Sequence, residues 1–261
     1  MTAADAAAAP GAGPLSNRVI LIAGAYGGLG AATAIACAKA GAETILLGRK
    51  VPKLNRVYDR IVADGGRAML YPLDLEGASP DDYAELAQRV GRAYGRLDGL
   101  VHCAAYFTGL TPLQHTDPAA LARALHINLT ARCWLTQACL PLLAAAPEAV
   151  AVFVMDDAER TGGAYWGGYG MAQQAMPALV PMLQAEIGPD ASTRISGLRP
   201  GPMRTGLRAR AYVEEDDTIA VEPAVYANAC VSLLSPHGAR YRGAVWSPDR
   251  HELHELTAER A

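Results

Sequence analysis

The stretch RVILIAGAYGGLG, residues 18–30, decides the fold. After Arg18, its first part as far as Ala23 is an unbroken β-branched and apolar run, the pattern of a strand buried on both faces. Its second part sets glycines at Gly24, Gly27, Gly28 and Gly30, and a helical segment follows that stops at Gly41. A glycine turn between a strand and a helix lets the backbone approach a ligand closely. The helix N-terminus behind it presents free N–H groups and partial positive charge. This arrangement suits a pyrophosphate. Glycine spacing alone is weak evidence; the flanking strand and helix give it weight.

Working outward, strand and helix keep alternating. ETILLG is a second strand, and VPKLNRVYDRIVADGG a helix closed by Gly65 and Gly66. RAMLYPLDL is a third strand. SPDDYAELAQRVGRAYG opens with Ser79 as N-cap and Pro80 at the first helical position. LDGLVHCAA is the fourth strand, and Asp117 with Pro118 starts a long helix expected to run to about Leu143. AVAVFVM and RISGLRPG are the fifth and sixth strands, EPAVYANACVSLLS the last helix and GAVWSPD the last strand. Residues 206–221 lack periodicity and read as a loop or lid. In YGMAQQAMPALVPMLQAEIG, Pro177 and Pro181 are expected to kink or end the helix. This alternation, with short connections, predicts a single α/β domain: a parallel sheet with helices on both faces. The expected division is a flexible arm at 1–16, the domain at 17–247 and a tail at 248–261.

With 261 residues the chain is long enough for one large core. A net charge of −3 without long runs of one sign excludes a nucleic-acid footprint, and no apolar run is long enough to span a bilayer. The first fourteen residues, MTAADAAAAPGAGP, lack the basic start and apolar stretch of a signal peptide. Five cysteines without a C-x-x-C pair predict free thiols and a cytoplasmic setting. HELHEL places His251, Glu252, His254 and Glu255 together without H-E-x-x-H spacing, so no metal site is expected.

The spacing Gly24-x-x-x-Gly28-x-Gly30, the strand LDGLVHCAA, the segment HINLT, YGMAQ and RPGPMRT together resemble the short-chain dehydrogenase/reductase superfamily in order and spacing. The resemblance implies a Rossmann-type doubly wound sheet and a dinucleotide cofactor. It also implies a small-molecule carbonyl or alcohol substrate and a homodimer or homotetramer. It marks Gly24, Tyr26, Gly28, Leu29, Gly30, Asp74, Leu75, Cys103, Pro200, Gly201 and Thr205 as cofactor-binding, with Asp74 toward adenine and Thr205 toward the nicotinamide carboxamide. The second strand ends in Gly48, Arg49 and Lys50 with no acid. A 2′-phosphate is recognised by a cation there, so Arg49 favours NADP(H) over NAD(H).

The resemblance assigns acid/base chemistry to Tyr169 and the active-site asparagine to Asn128. Here the sequence departs from the family. Gln173 stands where the family has a lysine, and Asp156, followed by Asp157, stands where it has a serine. Cys103 and Ala105 replace an asparagine and a glycine of the turn after the fourth strand. A phenol titrates near pH 10. A neutral amide does not lower that value, and an ionised carboxylate raises it. Carbonyl reduction, which needs a protonated donor, suffers less from these changes than alcohol oxidation. Gln173 can still bond ribose hydroxyls, and Asp156 could replace the serine only as a buried, protonated donor. Tyr165 and Trp166 read equally as pocket lining or core, and Met171, Met176 and Met182 as helix packing.

Two further readings stand beside a weakened reductase. One is a non-catalytic dinucleotide-binding sensor, scaffold or partner subunit. The other is elimination chemistry using the aspartate pair.

Overall fold

A computed structural model describes residues 13–213 and 218–248. Seven strands form one parallel sheet: β1 (Val19–Ala23), β2 (Glu43–Gly48), β3 (Arg67–Pro72), β4 (Gly99–His102), β5 (Ala149–Val154), β6 (Thr193–Leu198) and β7 (Val245–Trp246). Their order is β3-β2-β1-β4-β5-β6-β7, and every pairing is parallel.

The helices are α1 (Gly28–Lys39), α2 (Val51–Ala63), α3 (Pro80–Tyr94), α4 (Pro118–Leu125), α5 (Ala131–Ala144), α6 (Ala158–Thr161), α7 (Gly167–Ile187), α8 (Arg208–Ala211) and α9 (Pro223–Leu234). Strand side chains alternate between two cores, as a period of two requires. Ile20, Ile22, Leu46, Val150 and Val152 pack on one face with the buried residues of α1 and α9. Leu21, Ile45, Leu47, Ala151 and Phe153 pack on the other with those of α3, α5 and α7. The α3 start carries a full capping box between Ser79 and Asp82 behind Pro80.

Several expectations need correction. Residues 13–16 were assigned to a flexible arm, yet Leu15 is fully buried and its N–H donates to Ala40 O at 2.9 Å. The helix expected from Pro118 to Leu143 is interrupted by a π-helical turn at His126–Thr130, which lies directly beneath the site. Neither Pro177 nor Pro181 ends α7, which runs 21 residues. Its inward face, with Tyr169, Ala172, Met176 and Val180, is held against the sheet, and that packing outweighs the local loss of backbone donors. Met176 packs as expected, but Met171 and Met182 lie half exposed on the outer face of α7. Part of the 206–221 segment is helical, as α8. The 1–12 and 249–261 segments, the latter including the HELHEL cluster, lie outside the described residues.

Beneath the sheet's upper edge, His102 is buried, stacks on Phe153 at 4.6 Å and bonds Thr136 Oγ1 through Nε2 at 2.8 Å. Burial, with the charge of Arg132, holds its pKa well below the ordinary 6.5. A depressed folded-state value makes the neutral form the native one. Its contribution is therefore complete above pH 6.5 and is lost as pH falls below that. Urea melts of the wild type should lose up to about 1.4 kcal/mol per pH unit below pH 6.5 from this group, and His102→Gln should flatten that slope.

Candidate functional site

The chain turns from β1 to β2 on one side of the sheet and enters β4 on the other side of β1. That switch point, at the carboxyl ends of the strands, is where an open parallel sheet leaves a crevice. A cleft of about 760 Å³ opens there, a volume suited to a dinucleotide with a small substrate.

The floor of the cleft is the glycine turn. Gly24 has φ +84°, and a Cβ on it would stand 2.6 Å from Ala104 N. A Cβ on Gly30 would fall 2.1 Å from the Gly24 carbonyl oxygen, so Gly30 lets α1 pack against the turn. Gly27 is the N-cap of α1 and supplies no side-chain cap, which leaves the helix start to a ligand. This cradle fits a pyrophosphate.

One end of the cleft is cationic. Arg49, Lys50 and Lys53 line it, with Tyr26, Asp74 and Leu75. Arg49 lies 3.5 Å from Asp74 and 3.4 Å from Glu76, in exposed pairs that screening keeps weak. Lys53 sits over the Tyr26 ring at 5.9 Å. Sequence reasoning missed Lys53; its place three residues after Lys50, in the first turn of α2, was the available signal.

The other end holds Tyr169, Gln173, Asp156, Arg160, Phe107, Arg208 and Arg210. Tyr169 Oη donates to Asp156 Oδ2 at 3.0 Å. Asp156 Oδ1 accepts from Arg160 Nη2 at 2.6 Å and from Asp157 N–H at 2.8 Å. Both Asp156 oxygens therefore accept, which contradicts the protonated-donor role. Asp157 caps α6 through Glu159 N–H at 2.9 Å, so the two aspartates do different work. Gln173 Oε1 accepts from Asp156 N–H at 2.9 Å, tying α7 to the end of β5. Burial first, then the charge and hydrogen bond of Asp156, push the Tyr169 phenol well above its ordinary value; Arg132 and Arg160 oppose this. Arg160 and Arg132 were not singled out from the sequence, although each stands four residues after a candidate, Asp156 and Asn128 respectively.

Leu29, Cys103, Pro200, Gly201 and Thr205 also line the cleft. Burial pushes the Cys103 thiol well up, so it offers no ready thiolate. Gly30 and Asn128 are not among the lining residues. Asn128 sits fully buried in the π turn. Its Nδ2 donates to Ala124 O and Tyr106 O, each at 2.8 Å, and its Oδ1 accepts from Tyr106 N–H at 2.9 Å. These bonds tie the loop after β4 to the end of α4. Trp166 packs behind Tyr169 with Phe107, whereas Tyr165 is 56% exposed; neither lines the cleft.

Comparison with known proteins agrees with this geometry. The short chain dehydrogenase family profile matches residues 18–216. The uncharacterized oxidoreductase YciK of Escherichia coli (strain K12) is 34% identical over 211 residues, 80% of this chain and 83% of that protein. A short chain dehydrogenase structure from Pseudomonas syringae superposes with TM-score 0.85 at 36% identity, over 93% of this chain and 98% of that one. Another, from Shigella flexneri 2a and complexed with NADP, gives 0.86 at 32% identity, over 90% and 98%. The profile match over most of the chain, the identity with YciK and the superposition of the whole fold leave one conclusion: the chain belongs to the short chain dehydrogenase family.

Proposed function

We propose that this protein binds NADP(H) and reduces a small-molecule carbonyl slowly, with Tyr169 as proton donor. The carrying observation is that Tyr169 and Asp156, bonded at 3.0 Å, share one cleft with the glycine cradle and Arg49. The NADP complex of the Shigella flexneri relative supports the cofactor. Gly24, Tyr26, Gly28 and Leu29 would hold the pyrophosphate side, Arg49 the 2′-phosphate, and Gln173, through its amide NH₂, a ribose hydroxyl. When bound, the reduced nicotinamide would supply hydride to the carbonyl carbon. Tyr169, kept protonated by burial and Asp156, donates its proton to the carbonyl oxygen. The same bond to Asp156 competes with the substrate oxygen for the phenol, which makes turnover slow.

Binding and turnover are tested separately. NADPH should quench tryptophan fluorescence saturably, since Trp166 packs behind Tyr169. In an NADPH-consumption screen over aldehydes and ketones, Tyr169→Phe should lower kcat about a hundredfold or more without weakening NADPH binding. Saturable binding with no consumption on any carbonyl would favour the second reading, a non-catalytic nucleotide-binding protein. The observation on its side is that the tyrosine hydroxyl is already committed to a carboxylate.

We further propose a cytoplasmic homodimer or homotetramer. Its support is an exposed apolar stripe on α7 carrying Met171 and Met182, the free cysteines, and the lack, among the described residues, of a helix long and apolar enough to cross a membrane.

A further inference from the structure

We infer that Arg132, a residue of α5, is the fixed cation of this site, supplying from beneath Tyr169 and Gln173 the positive charge that Gln173 lacks. Arg132 is 2% exposed yet lines the cleft. Its guanidinium is clamped where the charge is wanted. Nη2 donates to Ala104 O at 2.6 Å, in the loop after β4. Nη1 donates to Val154 O at 2.7 Å, two residues before Asp156, and lies 3.8 Å from Met176 Sδ. Met176 is three residues beyond Gln173 on the same inward face of α7. The head group is thus bracketed by the strand end that carries Asp156 and the helix that carries Tyr169 and Gln173.

The charge itself needs explaining. Among the described residues Arg132 has no ion-pair partner, and its buried Nε has no hydrogen-bond acceptor. A buried guanidinium without a counter-charge is costly, and two backbone carbonyls could be served by a neutral donor. It also stays charged at any ordinary pH. Opposite it, Tyr169 is coupled to it electrostatically, each favouring the other's ionised form. The remaining groups facing Arg132 are the neutral His102 and the thiols of Cys103 and Cys133; those facing Tyr169 are Asp156 and Arg160. Asp156 and Arg160 are bonded to each other, Arg208 stacks on the Tyr212 ring and Arg210 donates to Phe107 O, whereas Arg132 is the buried cation that acts on Tyr169 without a carboxylate partner among the described residues. It acts through Tyr169 as a positioning residue, and the negative charge that develops on the reacting oxygen falls within its field.

This reading rests on Tyr169 as the acid of the site, but its test needs no turnover. The phenol of Tyr169 is labelled with ¹³C at Cζ, assigned with Tyr169→Phe and titrated by NMR in the wild type, Arg132→Lys and Arg132→Gln. Arg132→Gln should raise the Tyr169 pKa by about one unit or more, the scale of a nearby opposite charge. Arg132→Lys, which keeps the charge but loses the fork, should titrate like the wild type. Adding Gln173→Lys to Arg132→Gln should bring the value back down. A Tyr169 titration unchanged by Arg132→Gln, or raised equally by Lys and Gln, would reduce Arg132 to a structural clamp and overturn the inference. If Arg132→Gln does not fold, the Arg132→Gln, Gln173→Lys protein carries the test. It must fold and titrate close to the wild type, and failure on either count also overturns the inference. A wholly inactive enzyme would defeat the reductase proposal and leave these titrations standing.

Discussion

The double substitution Asp156→Ser, Gln173→Lys is expected to raise NADPH-dependent carbonyl reduction about a hundredfold or more. Each change acts on Tyr169 for a stated reason. Asp156 now takes the phenol's hydrogen bond at 3.0 Å and adds negative charge beside it. A serine would free the hydroxyl to meet a substrate oxygen and remove that charge. A lysine at position 173 would place an ammonium one helical turn beyond Tyr169, on the same inward face of α7. The single substitutions should fall well short of the pair. Gln173→Lys alone would set its ammonium against Asp156, and Asp156→Ser alone would strand Arg160, which loses its bond to Oδ1. Residues in one network do not add, so the coupling itself is a prediction. Steady-state kinetics of the four proteins on one carbonyl substrate measures it. Strictly additive effects would mean that the two positions do not act through a common phenol.

Arg49→Glu should produce the second large change, a switch in cofactor preference. A guanidinium on a phosphate contributes about 1.5–3 kcal/mol, or roughly ten- to a hundredfold in affinity. Glutamate also repels the 2′-phosphate and can accept from a 2′-hydroxyl. NADPH affinity should therefore fall by at least that factor while NADH binding holds or improves. Lys50 and Lys53 remain at that end of the cleft and will preserve some attraction for the phosphate. The pairs Arg49 forms with Asp74 and Glu76 are long and exposed, so they can give way to a ligand. Fluorescence titration of both cofactors decides it; equal losses for NADPH and NADH would show that Arg49 serves general charge and not the 2′-phosphate.

The sheet was legible because parallel strands are buried on both faces and read as apolar runs, as in VILIA and AVAVFV. The glycine turn was legible because Gly24 and Gly30 occupy positions that a side chain cannot. Other features depend on tertiary packing that no local pattern announces. Pro177 and Pro181 signal a break, yet α7 is pinned along its length by its inward face. The π turn at His126–Thr130 left no mark in composition; what betrays it is Asn128 bonding the backbone on both sides. Arg132 in a helix reads as a solvated charge, and only the approach of Ala104 and Val154 shows that it is buried. Tyr169, Asp156 and Gln173 were identified through family resemblance, but the hydrogen bonds linking them came from the fold.

The protonation state of one phenol governs the chemistry of this site. Burial and the Asp156 carboxylate outweigh Arg132 and Arg160, so Tyr169 must remain protonated beyond the ordinary tyrosine value of 10.0. A ¹³C NMR titration of Tyr169 in the wild-type protein is the most direct measurement. The predicted result is no ionisation of this residue until pH exceeds 10.0. Ionisation below 10.0 would show that the site activates its tyrosine after all, and would contradict the account.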